Sequence, residues 1–369
     1  MKVAIVHDYI KEYGGAERVL EEFLRIYPNA TVYTTVFLPR FLGPHRKRFS
    51  EYKIRTSFLQ YIPFKAKLIS PFRLLSPFAF KFFNFSDFDL IIVSQTGAYF
   101  PNVVDKEKAK LICYTHTPPR YLYGFATARE WKKNPILRVL GGFANHFLRL
   151  LDYYASRNVD YFIANSNEVA SRIKKFYRRE ATVIYPPVKV RFKSTIQAKR
   201  EGWRYYLCGG RLARAKGIDI VVRAFAKSGK KLKVFGKGFA GFDEELKSYA
   251  TSNIEFVGEV TDKEKIALMK GARAFIFASY DEDFGITPVE AMSAGTPVIA
   301  YRSGGVQETV IEGETGIFFD ENTPKALAEA IAKFEKLELS RSAIIKQAQK
   351  FSEDRFSREI GKFVDKVIR

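Results

Sequence analysis

The sequence predicts an α/β protein of two doubly wound, Rossmann-like domains facing a central cleft. Three observations carry this. Short apolar runs, among them Val3–His7, Leu111–Thr115, Tyr205–Cys208 and Ala274–Ala278, read as parallel strands buried on both faces. Loops and amphipathic segments separate them, which is the rhythm of strand–helix–strand units. That rhythm pauses at Pro186-Pro187 and restarts at Tyr205, so 369 residues divide into two domains of ordinary size. The domains are expected at 1–190 and 200–352, joined by a linker over 186–201, with a last amphipathic segment at 353–369.

Composition narrows the function. A hydrophobic content of 47% is enough for two real cores. No run reaches the length of a spanning helix and no signal peptide opens the chain, so a cytoplasmic location is expected. Cys113 and Cys208 fall in separate apolar strands and read as core thiols. The four histidines lack metal-ligand spacing. The formal charge is +21 and uneven: residues 1–190 hold 30 Lys/Arg against 15 Asp/Glu, and the remainder 31 against 25. A basic first half implies an anionic partner, which could be a phosphorylated substrate, a membrane surface or nucleic acid. No nucleic-acid module signature appears, so that partner is not expected.

In the first domain, strand 3–7 leads through a loop to Gly14-Gly15 and an amphipathic helix over 16–26. A glycine pair between strand and helix suits an anion, and equally a tight turn. A strand follows at 31–37. Residues 40–85 break the alternation: they carry ten Lys/Arg, one acid (Glu51) and ten phenylalanines. Four prolines there limit long helices. Cations among aromatics with almost no acids fit contact with an anionic bilayer, and the alternative is a Phe-rich core under basic loops. Strands at 89–94 and 111–115 come next, the second ending at His116 in THTPPR, where the carboxyl edge of a parallel sheet binds ligands. A helix over 136–155, a strand at 160–165, a helix at 167–177 and a strand at 181–185 complete the half.

The second half opens with strand 205–208 and GGRLARAKGID. Arg211 and Lys216 precede a helix from Gly217 or Ile218, a setting suited to a diphosphate. Strand 232–235 precedes Gly236-Lys237-Gly238-Phe239-Ala240-Gly241, nominally a dinucleotide fingerprint but on the second strand of its half. After strand 254–257, the Val260 backbone could meet a nucleobase, with Thr261 or Asp262 capping a helix. Strand 274–278 then leads into SYDEDFGITPVEAMSAGTP. Thr287 is expected as N-cap, Pro288 in the first turn, and Gly295 with Pro297 at the end. Glu282 and Glu290 flank this turn, with seven residues between them. They read either as solvated acids or as acceptors for vicinal sugar hydroxyls. Gly285 allows close approach of the amides of Phe284, Gly285, Ile286 and Thr287, at a positive helix end. Strand 298–300 leads to Gly304-Gly305, a phosphate-facing edge or a plain turn. Strand 315–319 and helices over about 323–336 and 341–351 close the domain.

The E-x7-E spacing around Phe284-Gly285 resembles the signature of glycosyltransferase family 4. GGAERV, the G-R-L-x-x-x-K-G form at Gly210 to Gly217, and CYTHTPPRYLY around His116 resemble its other motifs, in the expected order. HDY, KIRTSFLQ, DYFIANS and VIYPPV are similar to the branch that contains O-antigen and polysaccharide mannosyltransferases. The resemblance implies the GT-B fold, with the C-terminal helix crossing back to the first domain. It implies a retaining transfer of a hexosyl group, mannose from GDP-mannose, to a saccharide or lipid-linked saccharide. Glu290 would bind ribose, Arg211 and Lys216 the diphosphate, and Glu282 with His116 the sugar; Gly14 and Gly15 would line the donor site. Glu282, His116, Arg211 and Lys216 would carry the chemistry, without metal or other cofactor. The competing readings are a UDP-sugar donor (UDP-N-acetylglucosamine or UDP-glucose), an NAD-dependent oxidoreductase drawn from 236–241, and a non-catalytic polyanion binder.

Overall fold

The computed structural model describes residues 1–126, 135–190, 205–239 and 241–368; the expected linker falls partly outside them. Two compact units divide after Pro187, and the chain returns to the first at Asp354.

The first unit holds β1 Val3–His7, α1 Gly15–Ile26, β2 Thr31–Thr34, β3 Lys53–Thr56, α2 Phe72–Lys81, β4 Leu90–Gln95, β5 Lys110–Thr115, α3 Arg120–Tyr123, α4 Pro135–Arg157, β6 Tyr161–Ala164, α5 Asn167–Tyr177 and β7 Ala181–Val183. Among the described residues these strands form a seven-stranded parallel sheet, ordered β3-β2-β1-β4-β5-β6-β7. Cores lie on both faces, which is why β1 and β4 are buried at every position.

The second unit holds β8 Tyr205–Gly209, α6 Ile218–Ser228, β9 Leu232–Phe235, α7 Phe242–Ser248, β10 Ile254–Gly258, α8 Asp262–Gly271, β11 Ala272–Phe277, α9 Ile286–Ser293, β12 Val298–Tyr301, β13 Gly316–Phe319, α10 Pro324–Phe334 and α11 Arg341–Gln349. Its parallel sheet runs β10-β9-β8-β11-β12-β13. Two Rossmann-like sheets of this kind are the architecture expected. The last helix, α12 Glu353–Ile368, packs on the first unit. Phe356, Ile360 and Val364, at helical spacing, enter the core of α1, and the Phe356 ring meets Phe23 at 5.5 Å and Tyr114 at 5.8 Å.

The basic, Phe-rich stretch 40–85 divides its aromatics between both expectations. Phe49, Phe72, Phe80 and Phe85 are buried, whereas Phe41, Phe58, Phe64, Phe78 and Phe82 are exposed. It also contains β3, an edge strand that the polar sequence KIRT does not announce, and α2, a ten-residue helix despite Pro77. Pro77 cannot donate to the carbonyl of Arg73, and the Ser76 hydroxyl donates to that oxygen instead, at 2.9 Å. On α4, Asp152 and Ala155 face inward while Phe143, Phe147, Leu150 and Tyr154 face out. Among the described residues no helix is long and apolar enough to cross a membrane.

Candidate active site

In the second unit, the loops after the neighbouring strands β8 and β11 are stitched together. The Tyr280 amide donates to the Ala215 carbonyl at 2.9 Å, and the Ser279 hydroxyl to the same oxygen at 3.3 Å. Gly217 makes the contact possible: its φ is +60°, and a Cβ there would lie 2.2 Å from the Ala278 carbonyl oxygen. This brings Lys216 to Glu282. Lys216 Nζ and Ser279 Oγ both donate to Glu282 Oε2, each at 2.6 Å. Arg211 lies on the exposed part of the same β8 loop.

Glu282 is seated from the β12 side. The Gly305 amide donates to its carbonyl at 2.7 Å. A Cβ on Gly304 would fall 2.1 Å from that carbonyl, and one on Gly305 would fall 2.3 Å from the carbonyl of Asp283. The glycine pair is thus a seat for the Glu282 loop. Next to Glu282, Asp281 has φ +48°, a left-handed backbone on a non-glycine residue, as strained positions at functional sites often are.

Helix α9 begins earlier than the sequence suggests. Gly285, with φ +87°, is its N-cap, and Thr287 is its second residue with no capping role. The reason is conformational: a left-handed entry favours glycine over threonine. Amides at the start of α9, Ile286 and Thr287 among them, have no intrahelical acceptor and sit at its positive end. The Phe284 ring is buried against Phe351, so only its backbone is available. Glu290, on α9, receives Lys265 Nζ from α8 at 2.6 Å, and both side chains are largely buried. Lys265 was not anticipated, since no spacing in KEKI marks it.

Val260 is half-buried just ahead of Thr261. Thr261 caps α8: its hydroxyl accepts from the Glu264 amide at 3.3 Å, and Glu264 accepts from the Thr261 amide at 2.7 Å. Two glycines of 236–241, Gly236 and Gly238, allow close packing, whereas a Cβ on Gly241 would meet open space; Ala240 lies outside the described residues. A Cβ on Gly236 would lie 1.8 Å from the Gly210 carbonyl oxygen, and one on Gly238 would lie 2.1 Å from Asp243.

The first unit gathers a separate group at the carboxyl edge of β1, β4 and β5. Gly14 caps α1 in extended backbone and donates its amide to Glu17 Oε2 at 2.8 Å, with Gly15 the first helical residue. The cradle at this helix start is therefore partly filled by the chain's own carboxylate. His116 follows β5 and is buried but for 9% of its surface. Its amide donates to the Gln95 carbonyl at 2.9 Å, and its carbonyl accepts from Asn165 Nδ2 at 3.0 Å. Burial, with His7 nearby, pushes its pKa down to about 3, so the ring is neutral near pH 7. Ser94 Oγ lies 3.0 Å from His116 Nε2 and 3.1 Å from His7 Nδ1. Asp8, one residue past β1, is fully buried, and burial raises its pKa. It accepts from the Thr96 hydroxyl at 2.5 Å and from the amides of Ala98 and Tyr99 at 3.0 and 3.1 Å.

Comparison with known proteins places this geometry. Residues 13–192 match the family model described as Glycosyltransferase Family 4, and residues 190–351 match that described as Glycosyl transferases group 1. The chain belongs to these family 4, group 1 glycosyltransferases, and its fold is of the GT-B class. It is similar to the α-1,3/1,6-mannosyltransferase ALG2 of Mus musculus, 25% identical over 326 residues that cover 78% of this chain and 75% of the relative. It is 24% identical over 386 residues to an uncharacterized glycosyltransferase of Methanocaldococcus jannaschii, covering 95% and 93% of the two chains. Among solved structures, HepE of Anabaena in complex with UDP-glucose aligns with a TM-score of 0.70 at 19% identity, covering 99% of this chain and all of that one.

Proposed function

We propose that the chain transfers mannose from GDP-mannose, with retained configuration, to a saccharide or lipid-linked saccharide during assembly of a cell-surface polysaccharide. The observation that carries this reading is the pairing of both signature carboxylates with lysines, Lys216 with Glu282 and Lys265 with Glu290. Each acid is thus held as a hydrogen-bond acceptor beside the sheet's carboxyl edge, Glu282 in the loop after β11 and Glu290 on the helix that follows. Glu290 holds the ribose hydroxyls, Glu282 and His116 the sugar, and Val260 the base through its backbone. Gly14 and Gly15 border the donor. Arg211 and Lys216, with the amides of Phe284 to Thr287, neutralise the diphosphate as its bond to the anomeric carbon breaks. The acceptor oxygen bonds to that carbon on the same face, and its proton passes to the departing diphosphate oxygen. No metal or other cofactor has a part in this scheme. The similarity to mannosyltransferases supports mannose, while the complex of HepE with UDP-glucose keeps a UDP-sugar as the second reading.

A thermal-shift panel of GDP, UDP, ADP and NAD tests it. GDP at about a hundredfold over its Kd should stabilise the chain by about 2.7 kcal/mol, and the product should be an α-mannoside. A response to UDP alone moves the assignment to the second reading, a response to NAD alone removes the transferase reading, and a β-linked product removes retention.

The first unit is further proposed to rest on the anionic inner face of the cell membrane. Phe58, Tyr61, Phe64, Phe78 and Phe82 are exposed within a stretch holding ten cations and one acid, so apolar insertion and charge complementarity coincide. Liposome flotation should show retention on vesicles containing phosphatidylserine that weakens with salt and with Phe64→Ser/Phe82→Ser. Equal recovery without vesicles would dispose of it.

A further inference from the structure

Behind His116 runs a buried line of polar groups that spans three neighbouring strands. It starts in the first turn of α1, where Glu17 Oε1 faces His7 Nε2 at 3.7 Å. It passes through the His7 ring at the end of β1 to Ser94 Oγ on β4, and from there to His116 Nε2 just beyond β5. His7 and Ser94 are wholly buried, and Glu17 nearly so. Among the described residues His7 Nε2 has no hydrogen-bond partner, and the Glu17 carboxylate is the charge that faces it.

We infer that Glu17 sets the tautomer of His116 through His7 and Ser94, and so makes His116 Nδ1 a hydrogen-bond acceptor toward the site. The logic is one of donor counting. With one proton on each ring, the field of the carboxylate keeps the His7 proton on Nε2, because a lone pair there would face negative charge. His7 Nδ1 is then an acceptor and takes the Ser94 hydroxyl proton. Ser94 has one proton to give, so its oxygen accepts from His116 Nε2–H. His116 Nδ1 is left bearing a lone pair. Among the described residues that nitrogen has no hydrogen-bond partner, and it is not one of the polar atoms sealed from solvent, so it is the atom through which the ring can act. On the proposed function, its partner is a hydroxyl of the donor sugar, oriented as a donor. Glu17, His7 and Ser94 are positioning residues in this scheme.

Glu17 also accepts the Gly14 amide through its other oxygen, Oε2, at 2.8 Å, and this makes the inference sharply testable. In Glu17→Gln the carbonyl oxygen keeps the Gly14 amide, so the new NH2 group faces His7 Nε2. His7 must then carry its proton on Nδ1, Ser94 must turn to donate to His116 Nε2, and His116 Nδ1 must become N–H. Long-range 15N–1H spectra of histidine-labelled protein read the protonated nitrogen of each ring directly. Only four histidines contribute, and His116→Asn assigns the relevant signals by their loss. The wild-type chain should show His116 protonated on Nε2, and Glu17→Gln should move that proton to Nδ1 with an unchanged melting temperature. A wild-type ring protonated on Nδ1, or a tautomer indifferent to Glu17→Gln, overturns the inference. No donor is present in this experiment, so its outcome is independent of whether the sugar nucleotide has been identified correctly.

Discussion

Lys216→Ala is expected to lower kcat by roughly 10²–10³, the loss typical of removing one preorganised charge at a developing anion. Without donor, Lys216 is held by Glu282 at 2.6 Å, and its side chain keeps 35% of its surface exposed, enough to meet a ligand. A diphosphate bearing more charge as it departs is a stronger partner than one carboxylate, so the benefit is largest in the transition state. The same pairing complicates the single variant. Deleting the lysine takes from Glu282, only 12% exposed, the ammonium held at 2.6 Å, while the Ser279 hydroxyl still donates to it. A double-mutant cycle separates the two effects. Glu282→Gln keeps the shape of the side chain and an acceptor for Ser279. If lysine and glutamate act as a unit, Lys216→Ala/Glu282→Gln should cost well under the sum of the singles. Arg211→Ala belongs in the same series with a similar expected loss. Steady-state rates decide the matter: kcat within about threefold of wild type for Lys216→Ala would remove the lysine from the reaction.

How much of this was legible beforehand follows from where each signal resides. Strands buried on both faces announce themselves, and β1, β9 and the apolar centres of β4, β5 and β11 stand where their runs stand. The edge strand β3 does not, because only one side of it is covered and KIRT has no apolar run to show. Helix α2 was hidden by Pro77, whose cost is met locally by the Ser76 hydroxyl. The cap of α9 was misplaced by a preference that is correct on average. Threonine outranks glycine at many N-caps, but a backbone entering at φ +87° reverses that order.

The candidate site divides in the same way. Glu282, Arg211 and Lys216 lie in loops directly after strands and Glu290 on the helix that follows one of them, so their sequence neighbours already mark them. Lys265 and the line from Glu17 to His116 have no such mark. The latter exists because β1 and β5 both flank β4, with His7 in register with Ser94, an adjacency that chain order does not reveal. Gly304-Gly305 shows the converse: the sequence marks the pair, but its contact with the Glu282 carbonyl is visible only in the fold.

Asp152 supplies an effect of comparable size on stability. It sits on α4, fully buried, and its Oδ2 accepts from the Tyr123 hydroxyl at 2.8 Å. Burial is the chief cause that raises its pKa from 3.8 to about 7, opposed by hydrogen bonds from Tyr123 and Tyr177 and assisted by the charge of Asp8. The folded chain therefore keeps a proton that the unfolded chain releases near pH 4. Between those two values the native state binds more protons, so stability falls as pH rises, and the loss is complete above the folded pKa. A shift of this size corresponds to roughly 4 kcal/mol in all, of which roughly 2–3 kcal/mol falls between pH 5 and 8. Asp152→Asn has no proton to lose. Its unfolding free energy minus that of wild type should therefore climb with pH by that amount, and other titrating groups cancel in the difference. Urea titrations of both proteins at pH 5, 6.5 and 8 measure it. A difference that stays flat would mean that Asp152 is ionised in the folded chain across this range, as it would be beside a compensating cation.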